Sequence, residues 1–268
     1  MRSSTLERVE TGWLDDTPFD DNVIRQFVRN QGDLCVVQAQ ASGGRGGEAP
    51  GVVLSDAGAD LLYWNQAVLQ RPLAHDGDEL LDCIDDFWAG EGARPSTLLS
   101  VWPTPDLSAR GWQLVGHPML VVRAPGAHPT ASKPGVRIER VTTPEQMGLV
   151  ERTVIDGYPM PELAGRPTGA VMPSALLDTD VVVRLGYVDD EPAAATLGFS
   201  GRGVVNLCLA ATLPNARRRG VWAAMVWARV DDAPDLPAVA YTSDHSRPGF
   251  VRMGFLPVTR CTLWARGG

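Results

Sequence analysis

Three apolar stretches crowded into residues 181–212 constrain this chain more than any other feature. Val181–Val188, Ala193–Ser200 and Val204–Thr212 are separated only by Asp189-Asp190-Glu191-Pro192 and by Gly201-Arg202-Gly203. Connections this short, built from turn-forming residues, join neighbouring antiparallel strands. The spacing therefore predicts a three-stranded meander. Directly behind it, Thr212 to Trp222 reads TLPNARRRGVW and leads into an apolar helix predicted over about Arg219–Val230. Pro214 stops the strand, and Gly220 lets backbone approach a ligand closely. The first amides of a helix have no internal partners and carry partial positive charge. Arg217, Arg218 and Arg219 add guanidinium donors. A strand, a basic glycine turn and a helix start together suit a phosphate group.

Around this centre the second half reads as alternating elements. Val136–Val141 is a predicted strand, and Pro144–Ile155 a helix with Thr142 or Thr143 as N-cap. A Pro/Gly-rich loop spans Gly157 to Pro173, followed by a short helix near Ser174–Leu177. After the meander and its helix come a strand at Ala238–Thr242, a short helix at Ser246–Met253 and a strand at Val258–Ala265. The order is β-α-α-β-β-β-α-β-α-β.

The segment Ala124 to Gly135, APGAHPTASKPG, lacks hydrophobic periodicity and reads as a linker. It divides the chain into 1–123, 124–135 and 136–268. In the first half, strand-like runs lie at Leu34–Gln38, Val52–Leu54, Leu61–Trp64, Leu98–Trp102 and Met119–Arg123. Helical spacing marks Glu79–Trp88, and a shorter helix is expected over Asp106–Trp112. Ala41 to Pro50, ASGGRGGEAP, reads as a loop; no Gly-Lys-Ser/Thr follows its glycines, so it is no phosphate loop.

Bulk properties narrow the function classes. The net charge of −8 disfavours nucleic acid or an anionic membrane as partner. Cys35, Cys83, Cys208 and Cys261 form no CxxC pair and have no histidine at ligand spacing, so reduced thiols and no metal are expected. Met1 to Asp20 lacks an apolar core, and no run approaches membrane-spanning length. A cytoplasmic protein, monomeric or homodimeric, is the expectation.

With those residues in view, a resemblance can be stated. Arg217-Arg218-Arg219-Gly220-Val221-Trp222 resembles motif A of the GNAT acetyltransferase superfamily: Gln or Arg, two residues, Gly, one residue, then Gly or Ala. Ser243 to Phe255, SDHSRPGFVRMGF, is similar to the family's next motif, which ends in a Gly-Phe pair, here Gly254-Phe255. The match covers about Gly135 to Arg266. The first half looks like a degraded copy without motif A. The resemblance implies a mixed α/β, acyl-CoA N-acyltransferase fold in two GNAT-like halves.

It also implies function. Acetyl-CoA would be the cosubstrate, with its pyrophosphate on the amides of Arg217, Arg218, Arg219, Gly220, Val221 and Trp222. Its pantetheine arm would lie along Ala210, Ala211 and Thr212, with Ser243 and Phe250 close to the cofactor. A small-molecule or protein amine would attack the thioester directly. Two positions depart from the family pattern. Phe250 stands where a tyrosine usually protonates the leaving thiolate, and Trp222 where a small residue is usual. Tyr158, Ser246 and His245 are alternative proton-transfer candidates. Asp156, Glu162, Asp178, Asp180 and Asp244 are further possible bases, although each also reads as a solvated surface group. Phe250 and Trp222 motivate a second reading, a non-catalytic acetyl-CoA-binding or partner-binding module. A larger acyl group is a third.

Overall fold

The computed structural model describes residues 22–59, 61–89, 94–128, 133–158, 160, 163 and 165–267. The N-terminal stretch read above for a leader, part of the 124–135 segment and Glu162 lie outside them.

The chain opens with α1 (Val23–Ala41), capped by the Asn22 side chain, which accepts the Arg25 N–H. The Leu34–Gln38 run expected as a strand lies inside this helix. Its apolar residues continue a helical stripe through Phe27, Val28, Leu34, Cys35 and Ala39, all buried. Burial of that stripe between two sheets overrides the local β preference. The antiparallel strands β1 (Arg45–Ala49) and β2 (Val52–Asp56) follow, so the loop expected over Ala41–Pro50 contains an edge strand. Leu61–Trp64 is a turn rather than a strand. Asn65 holds it by accepting the Ala57 N–H and donating to the carbonyls of Ala59 and Pro95. The strand starts just beyond, as β3 (Gln66–Leu69). Then come α2 (Glu79–Ala89), β4 (Ser96–Ser100), a single 3-10 turn at Ser108–Arg110 in place of the expected helix, β5 (Gln113–Gly116), which the pattern did not reveal, and β6 (Met119–Arg123).

The second half keeps the expected order. It consists of β7 (Val136–Arg140), α3 (Pro144–Gly157), a 3-10 turn at Ser174–Asp178, β8 (Val181–Val188), β9 (Glu191–Gly201), β10 (Val204–Thr212), α4 (Val221–Val230), β11 (Ala238–Thr242), α5 (Arg247–Arg252), β12 (Leu256–Arg260) and β13 (Thr262–Arg266). A capping box starts α3: Thr143 accepts the Gln146 N–H while the Gln146 side chain accepts the Thr143 N–H. The meander is real, with β9 paired to β8 on one side and β10 on the other.

The single strand expected at Val258–Ala265 is two strands, broken at Cys261, and they belong to different sheets. The two sheets run β1-β2-β3-β4-β13-β5 and β12-β6-β11-β10-β9-β8-β7. Each half thus lends a strand to the other. β6 lies between β11 and β12, and β13 between β4 and β5. The cores are shared as well. Phe27, Cys35, Val68 and Leu99 pack with Val204, Val239 and Leu263. A buried polar chain crosses the junction: Asn206 donates to Gln31, Gln31 to Gln66, and Gln66 to Thr97, each at 2.9–3.0 Å. Between β6 and β7, His128 lies against α4. His128 stacks on Trp227 with ring centroids 4.4 Å apart and meets Asp231 at 2.8 Å.

Candidate functional site

β10 and β11 run parallel and pair at only two positions, Val205 with Ala238 and Asn206 with Val239. Beyond Asn206 they diverge, although β10 continues to Thr212 against β9. A bulge between Cys208 and Ala210 helps to part them, with Leu209 held at φ 40°. The side of β10 that faces β11 is therefore an unpaired strand edge. Arg229 braces the bulge from behind. Fully buried, it donates to the carbonyls of Leu197, Cys208 and Met225. Burial lowers its pKa to about 10, which leaves it charged at neutral pH.

The basic turn follows β10. Arg218 has φ 66° and Gly220 φ 95°, and Gly220 is the N-cap of α4 with no side-chain cap. Among the described residues, the amides of 218–222 find no acceptor. The arginines divide their work. Arg217 reaches the carbonyls of Thr212 and Gly157, each at 3.4 Å. Arg219 pairs with Asp189 at 2.7 Å. Arg218 is exposed and has no partner among the described residues. The stem of Lys133 lies over Gly220, where an added Cβ would meet it at 2.8 Å.

A cavity of about 630 Å³ fills the divergence. Leu207 to Ala210 of β10 and Ala240 to Thr242 of β11 form its sides, and Ser243, Ser246, Trp222 and Phe250 one end. Tyr158, at the end of α3, donates its hydroxyl to Ala210 O at 2.8 Å. Although partly open to solvent, its phenol is packed among protein atoms, and this desolvation raises its pKa against the pull of Arg229. Burial also pushes the Cys208 thiol up to about 12, so that thiol stays protonated.

Of the three proton-transfer candidates, Tyr158 and Ser246 line this cavity and His245 does not. Ala210, Trp222, Ser243 and Phe250 line it too, whereas the arginine turn lies outside its lining. Asp156, Asp178 and Asp180 are exposed and not on the lining. Asp244 is on it, held below the usual carboxylate range by Arg260 at 3.0 Å. Trp222 and Phe250, the two departures from the family pattern, touch each other. Their rings meet edge-on with centroids 5.0 Å apart. Gly249 makes the room, since a Cβ there would come within 2.7 Å of the Trp222 ring. The Trp222 ring is thus directed toward α5.

The pattern of residues did not reveal the other wall, which the first half supplies. Gln31, Gln38, Tyr63, Trp64 and His117 all face the cavity. His117 sits in the Gly116-His117-Pro118 crossover between β5 and β6, with Nδ1 3.5 Å from the Thr262 hydroxyl. That Gly-His-Pro break was the one local signal available. Among the described residues no group of three or more His, Cys, Asp or Glu is placed to hold a metal ion. Among them, too, no helix is long and apolar enough to cross a membrane.

The architecture defines a class. Two mixed sheets, with a parallel pair diverging ahead of a glycine turn, make the acyl-CoA N-acyltransferase fold of the GNAT proteins, and this chain has it. A GCN5-related N-acetyltransferase from Kribbella flavida superposes with a TM-score of 0.61 at 19% identity, covering 89% of this chain and 96% of its own. A protein assigned to the GNAT acetyltransferase family from Novosphingobium aromaticivorans gives 0.58 at 16%, covering 92% and 99%. A conserved protein of unknown function from Staphylococcus epidermidis gives 0.59 at 12%, covering 83% and 93%. No protein-family model matches the sequence, and no curated protein matches it.

Proposed function

We propose that this protein is an N-acetyltransferase that uses acetyl-CoA and a primary amine. The observation that carries the reading is the free strand edge from Leu207 to Thr212 leading straight into a turn whose amides have no acceptor among the described residues. An extended arm with amide groups fits the first, and a pyrophosphate the second. Gly220, Val221 and the free guanidinium of Arg218 would hold the phosphates, with the Lys133 ammonium in reach of the same turn.

Acetyl-CoA supplies the acetyl group as a thioester: the amine lone pair forms the C–N bond, and the C–S bond breaks with its electrons going to sulfur. The protein then has two proton tasks. His117, an imidazole on the cavity wall, takes the proton the amine loses. Tyr158, kept protonated by its surroundings, gives one to the departing sulfur in place of the absent tyrosine at Phe250. The cavity holds both partners close, which supplies much of the acceleration.

The test has two parts. Acetyl-CoA added to the free protein raises its melting temperature, as any ligand specific for the folded state must. Release of free thiol is then followed with an amine panel. No shift at millimolar acetyl-CoA ends the proposal. A shift without thiol release from any amine favours the non-catalytic binding module that the Trp222–Phe250 pair suggests.

A further inference from the structure

The wall supplied by the first half has a chemistry of its own. The described residues lining the cavity include no lysine, arginine or glutamate. The only carboxylate among them is Asp244, already engaged by Arg260 at 3.0 Å and Arg247 at 3.7 Å. An acceptor bearing a carboxylate or phosphate would lose its water and find no lysine or arginine among the described lining residues. A second ammonium would find no unengaged carboxylate among the described lining residues. What the described lining offers is ring surface from Tyr63, Trp64, Tyr158 and Tyr241. It also offers the Gln38 side-chain amide, which has no partner among the described residues.

We infer that the first half is the acceptor-binding part of the molecule, and that the acceptor is a monoamine on a flat apolar body. The inference rests on the acetyltransferase reading and deepens it. Ring faces stack on an aromatic body and also attract an ammonium group. An ammonium brought into these apolar surroundings loses its proton more readily than in water. That prepares the nucleophile without a strong base on the wall. Gln38 can accept or donate one hydrogen bond, so a neutral hydroxyl or amide on the acceptor is accommodated.

The experiment uses the full chain. Calorimetric titration with 2-phenylethylamine, tyramine, spermidine and glutamate reads acceptor binding directly, and thiol release in the presence of acetyl-CoA reads turnover. The two aromatic monoamines should bind and turn over at least tenfold better than spermidine or glutamate. Tyr63→Ala should weaken 2-phenylethylamine about fivefold while the acetyl-CoA melting shift stays unchanged. Tyr63 is 44% exposed, so the substitution leaves the core intact. Val115→Asp, on the same wall and also exposed, should move preference toward spermidine. Spermidine or glutamate preferred by the wild type, or both variants without effect on amine selectivity, overturns the inference. If acetyl-CoA shifts the melting temperature but no aromatic monoamine binds, only the acceptor class is wrong. Absence of that shift removes the acetyltransferase reading itself.

Discussion

Each half of the molecule contains a strand–turn–helix unit, and the two units treat their unpaired groups in opposite ways. In the first half, β3 pairs with β4 through Gln66, Ala67 and Val68, three of its four residues, so little free edge remains. The loop that follows ends in Asp78, whose carboxylate sits at the start of α2. It accepts the N–H groups of Leu80 and Ala74 and both terminal nitrogens of Arg71. Arg71 and those amides hold its carboxyl well below the usual carboxylate range. This helix carries its own anion. In the second half, Gly220 stands at the equivalent position, has no carboxylate to offer, and leaves the amides to a visitor. The proposed phosphate site relies on groups left unsatisfied, whereas in the first half Asp78 and Arg71 satisfy the corresponding ones.

That contrast can be broken or sharpened experimentally, and the largest effect concerns the halves themselves. A chain cut to 135–268 loses β6 from the middle of its sheet and exposes Val204, Val239 and the edges of β11 and β12. It should be insoluble or lack a cooperative melting transition. A soluble, cooperatively melting fragment would mean that the exchanged strands are dispensable. Next comes Tyr158→Phe, expected to lower kcat about 100-fold with acetyl-CoA affinity unchanged in titration. Because burial raises this phenol, wild-type activity should show no alkaline fall at or below the ordinary tyrosine range, about pH 10.

Arg218→Glu should weaken acetyl-CoA about tenfold, on the order of 1.4 kcal/mol, without changing the melting temperature of the free protein. Its first-half counterpart behaves in the opposite way. Asp78→Ala should leave acetyl-CoA binding intact and destabilise the fold by about 1–2 kcal/mol, read by denaturant unfolding. The folded-state pKa of Asp78 is depressed, so its contribution is present above the unfolded carboxylate range and fades as pH falls through it. The gap between wild type and Asp78→Ala should accordingly shrink in acid. Weaker acetyl-CoA binding by Asp78→Ala would show that the first-half unit takes part in binding after all.

The second half was largely readable because its signals are local. Tight turns at Asp189-Asp190 and Gly201-Arg202-Gly203 define the meander, and Pro214, Gly220 and an N-cap at Thr142 or Thr143 mark element ends. The first half was read poorly because distant partners decide its elements. Leu34–Gln38 is helical since Leu34, Cys35 and Gln38 extend the buried stripe of α1, and the turn before β3 exists through side-chain bonds of Asn65 that no short pattern encodes. Most residues proposed for the cofactor lie in one segment, Ala210 to Trp222, whereas the proposed acceptor wall is assembled from Gln38, Tyr63 and His117, far apart in the chain. The contact between Trp222 and Phe250 was equally hidden, because it depends on Gly249 having no side chain.

The exchanged strands have a consequence for how the protein must be made. Domains usually close one after another as the chain leaves the ribosome. Here β6 emerges before any of its sheet neighbours exist, and the gap between β4 and β5 stays open until Thr262–Arg266 has been synthesised. Neither sheet can finish ahead of the other. Folding is therefore expected to complete in one late step, with the apolar edges of β4 and β5 needing chaperone cover until then.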